Sequence, residues 1–313
     1  MNFSATDNVS PIGGVVVPMV TPFRGDGMTV HETGVQQLVE RMVSDGVHGV
    51  FVAGTTGEAW ALDDEQWARL VQSAHETLRK RVPLYAGVSH PSTGGAVARA
   101  RRAQELGADF VVSLAPYYIA AGQADIIRHF QALADATELP IVVYQYPGIV
   151  KTSIALDTYA ELAKIPGIVG VKDSQGDVTE FYRMVLKLRG GGQDFRLLLG
   201  TDVLSNVVVM LGAQGIVPSL GNVAGALLVE AYDAAEASDW QRCLDLNAQI
   251  SALTAVYQVV KGGGPLDGVM TGLKCALTLL GVEAGPPAPP LRSWTDAESD
   301  AIADILRRGG LMP

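Results

Sequence analysis

Hydrophobic and polar positions along this chain alternate between two periods. Short apolar runs bounded by glycine, proline or polar residues lie near 14–20, 47–53, 83–88, 109–114, 140–144, 168–172, 196–199 and 215–218. Runs this short and this apolar read as buried strands. Between them the period lengthens to three and four residues, which predicts helices near 30–45, 63–80, 94–106, 122–137, 155–164, 177–189 and 202–211. Val35, Leu38, Val39 and Met42 form one apolar stripe, and Ile126, Ile127, Phe130 and Leu133 another.

A recurring junction closes several units: Asp45-Gly46-Val47-His48-Gly49-Val50, Leu106-Gly107-Ala108-Asp109-Phe110 and Leu211-Gly212-Ala213-Gln214-Gly215-Ile216. In each, a glycine ends a helix and a short link feeds the next strand. Strands separated by helices imply parallel pairing through right-handed crossovers. Eight such units in roughly 220 residues fit a (β/α)8 TIM barrel of the α/β class better than a doubly wound sheet. No glycine-rich dinucleotide fingerprint follows the first strand, which also weighs against the doubly wound fold.

From Ala224 onward the pattern is helical without further strands. Ala226–Glu236, Trp240–Val259, Leu266–Leu280 and Asp296–Arg308 are the predicted helices, broken by Gly262-Gly263-Gly264-Pro265 and Gly285-Pro286-Pro287. The expected division is a barrel over 1–236 and a C-terminal helical extension packed on it over 237–313.

Composition narrows the function classes. Of the 313 residues, 48% are hydrophobic and 18% charged, enough to bury a large core. A formal net charge of −10 argues against nucleic acid or an anionic membrane as partner. Cys243 and Cys275 both fall in helical patterns with no metal-ligand spacing, so a reducing cytoplasm is expected. Met1 to Pro11 lacks the basic and apolar regions of a signal peptide, and no apolar stretch approaches the roughly 20 residues of a membrane span.

The chemistry concentrates where strands end. Ile168-Val169-Gly170-Val171-Lys172-Asp173 places a lysine at the C-terminal end of a buried strand, the end at which barrel enzymes build their sites. Burial disfavours the ammonium and leaves an amine that attacks carbonyls. On position alone, a lysine that lays its stem on apolar surface and keeps its head in water fits equally well. After the second strand, Gly54-Thr55-Thr56-Gly57-Glu58 offers a tight turn whose amides and hydroxyls converge on a carboxylate, or simply a turn. Tyr144 ends the fifth strand, as a proton donor and acceptor or as a barrel-filling aromatic. Pro116-Tyr117-Tyr118 follows the fourth.

Gly200-Thr201-Asp202 and Pro218-Ser219-Leu220-Gly221-Asn222 follow the seventh and eighth strands. Barrels often hold phosphate at these loops, but here there is an aspartate and no lysine or arginine, which disfavours a phosphorylated substrate. His31, His48, His75, His90 and His129 are scattered, with only His90 at a strand's C-terminal end, and His31, His75 and His129 read as solvated or helix-face residues. No metal is therefore expected.

Gly54-Thr55-Thr56-Gly57-Glu58, Tyr144-x-x-Pro147 and Gly170-Val171-Lys172-Asp173, in this order, make the chain resemble the dihydrodipicolinate synthase/N-acetylneuraminate lyase family, from Gly14 to the helical tail. The resemblance implies a (β/α)8 class I aldolase or lyase that holds pyruvate, or another 2-oxo acid, as a Schiff base and needs no cofactor. It makes Lys172 the imine-forming residue and Tyr144 the proton shuttle. Thr55, Thr56 and Gly57 would receive the carboxylate, with Thr55 also in the tyrosine relay. Tyr118 would reach into a neighbouring subunit's site, so a homodimer or homotetramer is implied. Val217 would turn its carbonyl toward lysine and tyrosine, and Gly200, Asp202 and Ser219 would meet the rest of the substrate.

Departures bear on substrate. Ile149 stands where lysine-pathway synthases carry an arginine, with Lys151 nearby. Val203 stands where sialic acid lyases carry an acidic residue, whereas Ser219 fits the lyases, and Gln145 replaces the more usual asparagine. The expected activity is aldol cleavage or formation on an unphosphorylated 2-keto-3-deoxy acid. The alternatives are a dehydratase using the same imine, a 4-hydroxy-tetrahydrodipicolinate synthase, and a 2-oxo acid binding scaffold without catalysis.

Overall fold

The computed structural model describes residues 12–189, 195–264 and 266–313. The readings of Met1 to Pro11 and of Pro265 lie outside these residues. Eight parallel strands close into a barrel in sequence order, each hydrogen-bonded to the next and β8 to β1. They are β1 (Gly14–Pro18), β2 (Gly49–Val52), β3 (Leu84–Gly87), β4 (Phe110–Leu114), β5 (Ile141–Gln145), β6 (Ile168–Asp173), β7 (Arg196–Leu199) and β8 (Gly215–Ile216).

Both faces of the sheet are covered, which is why the strands read as unbroken apolar runs. Inward side chains, among them Val16, Phe51, Tyr85, Phe110, Val142 and Leu198, fill the barrel. Val15, Val17, Val50, Val111, Val143 and Val171 face the surrounding helices.

The helices are α1 (Glu32–Ser44), α2 (Asp64–Leu78), α3 (Thr93–Glu105), α4 (Gln123–Ala134), α5 (Pro147–Val150), α6 (Leu156–Leu162), α7 (Val178–Leu188), α8 (Ser205–Leu211), α9 (Gly221–Glu236), α10 (Trp240–Leu253), α11 (Asp267–Leu279) and α12 (Asp296–Arg308). The predicted α1 and α4 stripes are buried except for Ile127, which is half-buried. Asp63, Asp177 and Thr295 cap the N-termini of α2, α7 and α12 by accepting backbone N–H bonds. At the recurring junctions Gly107 and Gly212 take φ of 82° and 74°, the left-handed conformation that ends a helix at least cost to glycine.

Several boundaries differ from expectation. Strand β8 ends at Ile216, because Pro218 has no N–H to donate. Helix α9 begins at Gly221 rather than Ala226, with a non-helical break at Ala224. Helix α10 stops at Leu253, and Thr254–Gln258 tightens into a 3-10 turn. Of its two expected settings His129 takes the helix face: it is 2% exposed on α4, its Nδ1 3.0 Å from Thr93 Oγ1.

Candidate active site

Lys172 and Tyr144 are direct partners across β6 and β5. Strict alternation would not aim Lys172 inward, because Ile168 packs outward among the helices and residue 172 is four positions on. A bulge intervenes. Ile141 pairs with Ile168 but Val142 pairs with Gly170, so Val169 is an inserted residue that flips the strand's parity. Val171 then faces the helices and Lys172 the barrel interior. Glycine is required at the bulge, since a Cβ on Gly170 would stand 2.4 Å from the Arg196 carbonyl oxygen on β7.

The lysine is 5% exposed, with Nζ 4.0 Å from the Tyr144 ring centroid and 5.0 Å from that of Phe51. Burial brings its pKa down from 10.5 to about 7. The snorkelling alternative is thereby excluded. Burial also pushes the Tyr144 phenol above its ordinary range, opposed by hydrogen bonds with Thr55 and Ser174.

The remaining groups close around this pair in a cavity of about 190 Å³. Thr55 Oγ1 lies 3.2 Å from Tyr144 OH, and Thr56 Oγ1 lies 2.9 Å from Ser219 Oγ. Ser174 enters because the Asp173 carboxylate, outside the cavity, accepts from Gln175 N and Nε2 and orders the turn. Gly200 leaves room for that serine, since a Cβ there would fall 2.1 Å from Ser174 Oγ. Asp202 accepts from Leu220 N at 2.9 Å and from Tyr257 OH at 3.1 Å. Its burial raises the carboxyl pKa against these bonds.

Of the residues singled out in the sequence, Lys172, Tyr144, Thr55, Thr56, Val217, Gly200, Asp202 and Ser219 line the cavity. Gly57 does not; its carbonyl accepts from Thr21 Oγ1 at 2.6 Å and anchors the turn instead. Tyr118 does not reach the cavity of its own chain: it is 95% exposed and holds φ at 76°, a strained conformation for a bulky residue. His90 caps the entry to α3 with Ser92. Among the described residues no group of three or more His, Cys, Asp or Glu side chains is placed to hold a metal ion. No helix among them is long and apolar enough to cross a membrane.

Part of the wall lies outside the sequence motifs. Tyr146 and Ser174 follow Tyr144 and Lys172 by two positions, and that spacing was the available signal. Tyr257, Leu266, Val269 and Met270 carry no such signal, because they come from the C-terminal extension. The extension is thus part of the site.

Comparison with known proteins agrees with this architecture. The model of the dihydrodipicolinate synthetase family matches residues 11–308. A 4-hydroxy-tetrahydrodipicolinate synthase of Methanopyrus kandleri is 32% identical over 303 residues, covering 96% of this chain and 98% of the relative. One from Rhodospirillum centenum is 33% identical over 299 residues, covering 96% and 99%. The dihydrodipicolinate synthase structure from Bacteroides thetaiotaomicron superposes with a TM-score of 0.90 at 31% identity, covering 95% of this chain and 99% of that one. The chloride-inhibited Acinetobacter baumannii enzyme complexed with pyruvate gives 0.87 at 29% identity, covering 96% and 100%. The chain belongs to the dihydrodipicolinate synthetase family.

Proposed function

We propose that the protein is a class I aldolase or lyase that carries pyruvate as a Schiff base on Lys172, and that its larger substrate is an unphosphorylated 2-keto-3-deoxy acid. The observation that carries this reading is the buried Lys172 amine, partly neutral near pH 7, in a cavity shared with a phenol and two threonine hydroxyls. The amine attacks the ketone carbon, water leaves, and an iminium remains. Cleavage of C3–C4 sends the bonding pair into that iminium, giving an enamine, while the C4 hydroxyl loses its proton and departs as an aldehyde. Protonation at C3 and hydrolysis then release pyruvate.

Tyr144 receives the hydroxyl proton as it passes its own to Thr55, Thr55 releases its own to solvent in turn, and the same relay run backward supplies the proton that C3 of the enamine gains. Burial makes a standing phenolate costly, so the proton is relayed rather than stored. The Thr55–Thr56 turn holds the substrate carboxylate and fixes the plane of the imine. No cofactor enters this chemistry.

Synthesis of 4-hydroxy-tetrahydrodipicolinate is the second reading, favoured by the names of the relatives. It requires a counter-charge for the carboxylate of the aldehyde partner. Among the described residues lining the cavity, Lys172 is the sole cation, and Asp202 adds an acidic group. Ile149 packs against the barrel interior, and Lys151 Nζ donates to Gly148 O instead of entering the cavity. A neutral, hydroxylated aldehyde suits these walls better. Exposed Tyr118 suits a second copy of the chain, in a homodimer or homotetramer. The two buried free cysteines suit a cytoplasmic setting.

Treatment with pyruvate and borohydride followed by mass mapping tests the chemistry: an adduct on Lys172 supports it, and none, or one on Lys151 or Lys274, removes it. Incubation with 2-keto-3-deoxy acids then separates pyruvate release from formation of a dehydrated 2-oxo acid, and a binding scaffold yields neither.

A further inference from the structure

A second lysine is buried more completely than Lys172, and the mechanism does not use it. Lys274, on α11, is 0% exposed, and its Nζ lies 2.5 Å from Glu58 Oε1, also 0% exposed. The same Nζ donates to Pro286 O at 3.0 Å and sits 4.2 Å from the Phe23 ring centroid. Glu58 Oε2 accepts from Ala288 N at 2.6 Å. One carboxylate therefore ties together the turn after β2, helix α11 and the segment around Pro286 to Ala288.

Each end of this tie leads to the cavity. Glu58 closes the turn that presents Thr55 and Thr56, with its N–H donated to Thr55 O at 3.0 Å and its backbone at φ 52°, ψ 39°. A residue other than glycine stays in that left-handed region when its surroundings over-determine it. At the other end Lys274 stands four positions after Met270, one turn along the same face of α11. Met270 and Val269 line the same cavity as Thr55 and Thr56.

Stability alone does not account for such a pair. Removing two charges from water costs about as much as their attraction returns, and an apolar pair of similar volume serves a fold at least as well. What the pair adds is a fixed distance between two walls. Its counter-ion also separates Lys274 chemically from Lys172: burial lowers the Lys274 pKa, Glu58 opposes the shift, and the amine is held near 8 with its donors engaged.

We propose that the Glu58–Lys274 pair is a positioning device, a strut that sets the Thr55–Thr56 turn at the spacing from α11 which receives the carboxylate of pyruvate. This rests on the Schiff-base reading of the cavity. Neither residue touches substrate. The pair acts through the threonines, so its loss weakens pyruvate binding more than it slows the chemistry at Lys172.

The test uses the full chain and begins with borohydride trapping of pyruvate on the unaltered protein. Glu58→Gln with Lys274→Met removes both charges at nearly constant volume, whereas Lys274→Met alone strands a buried carboxylate and tests folding more than function. The expected result is a folded double variant still trapped on Lys172, with KM for pyruvate raised about tenfold or more and kcat changed less than about threefold. A folded double variant with unchanged KM, or a kcat loss at constant KM, overturns the strut while leaving the Schiff-base reading intact. Failure of the double variant to fold also overturns it, by making the pair a requirement of the fold. If the unaltered protein traps no pyruvate, the underlying reading falls and the strut with it.

Discussion

The amine of Lys172 lies over the face of the Tyr144 ring, 4.0 Å from its centroid, rather than at the phenol oxygen. A ring face favours an ammonium by about 2 kcal/mol or somewhat more when desolvated. The fall of the lysine pKa from 10.5 to about 7 corresponds to roughly 5 kcal/mol in the opposite direction. Desolvation wins, and the phenol oxygen is left free to bond Thr55. One tyrosine thus offers its face to the amine and its hydroxyl to Thr55.

This balance sets the pH dependence of imine formation. Only the neutral amine attacks, so the rate of pyruvate trapping by borohydride should be steady above about pH 7 and fall about tenfold per pH unit below it. A rate constant that keeps rising to pH 10 would show an amine solvated like an ordinary lysine.

The same shift makes Lys172 a liability to stability. A lysine whose folded pKa lies below its unfolded value leaves the unfolded chain binding more protons between about pH 7 and 10.5, so stability rises with pH in that window. Lys172→Met should stabilise the protein by roughly 2–4 kcal/mol at pH 7, and the gain should shrink toward pH 10. Urea unfolding of both proteins at the two pH values measures it. A variant less stable than the parent at pH 7 contradicts the assignment.

Tyr144→Phe removes the hydroxyl but keeps the ring over Lys172. Turnover of a 2-oxo acid substrate should fall about 10²-fold or more with Tm nearly unchanged. Thr55→Val should fall in the same direction by less, because it takes away one partner of the phenol and leaves Ser174. If Tyr144→Phe retains full turnover, the proton moves by another route.

Gly170 tests how Lys172 is aimed. Its Cβ would meet the Arg196 carbonyl oxygen at 2.4 Å, and backbone on a neighbouring strand cannot swing aside. Gly170→Ala should cost about 1–3 kcal/mol and lower the rate of pyruvate trapping as the bulge relaxes. Unaltered trapping in a folded variant would show that the bulge does not control the direction of Lys172.

That bulge also marks the boundary of what the sequence made legible. The eight strands were readable because both faces of each are apolar, and the lysine because a charge at the end of such a run stands out. Its direction was not readable, since alternation counted from Ile168 points it outward and the inserted residue is a matter of pairing with β5. Tyr146 and Ser174 shared a face with identified residues and were within reach of the period-2 argument. Tyr257 and Met270 were not, because a helical segment separated from the barrel strands gives no indication of which strand ends it will cover. Tyr118 is named by its motif alone, and in the single chain it is exposed.

The Asp202–Tyr257 bond carries the last expectation, about the larger substrate. Asp202 is half-buried at the cavity wall, bonded to Leu220 N and Tyr257 OH, and among the described residues lining the cavity Lys172 is the sole cation. An uncharged aldehyde bearing hydroxyl groups can donate to this carboxylate, while an anionic one is repelled. Tyr257→Phe keeps the packing and frees one acceptor oxygen, whereas Asp202→Asn removes the charge. Exchange of the C3 protons of pyruvate, which needs only Lys172, Tyr144 and the threonine turn, should change less than about threefold in either variant. Cleavage of a hydroxylated 2-keto-3-deoxy acid should drop about tenfold or more in kcat/KM for Asp202→Asn, and less for Tyr257→Phe. Equal losses in exchange and cleavage would place Asp202 in the pyruvate half of the reaction. Improved use of an anionic aldehyde by Asp202→Asn would show that charge at this position governs the choice of partner.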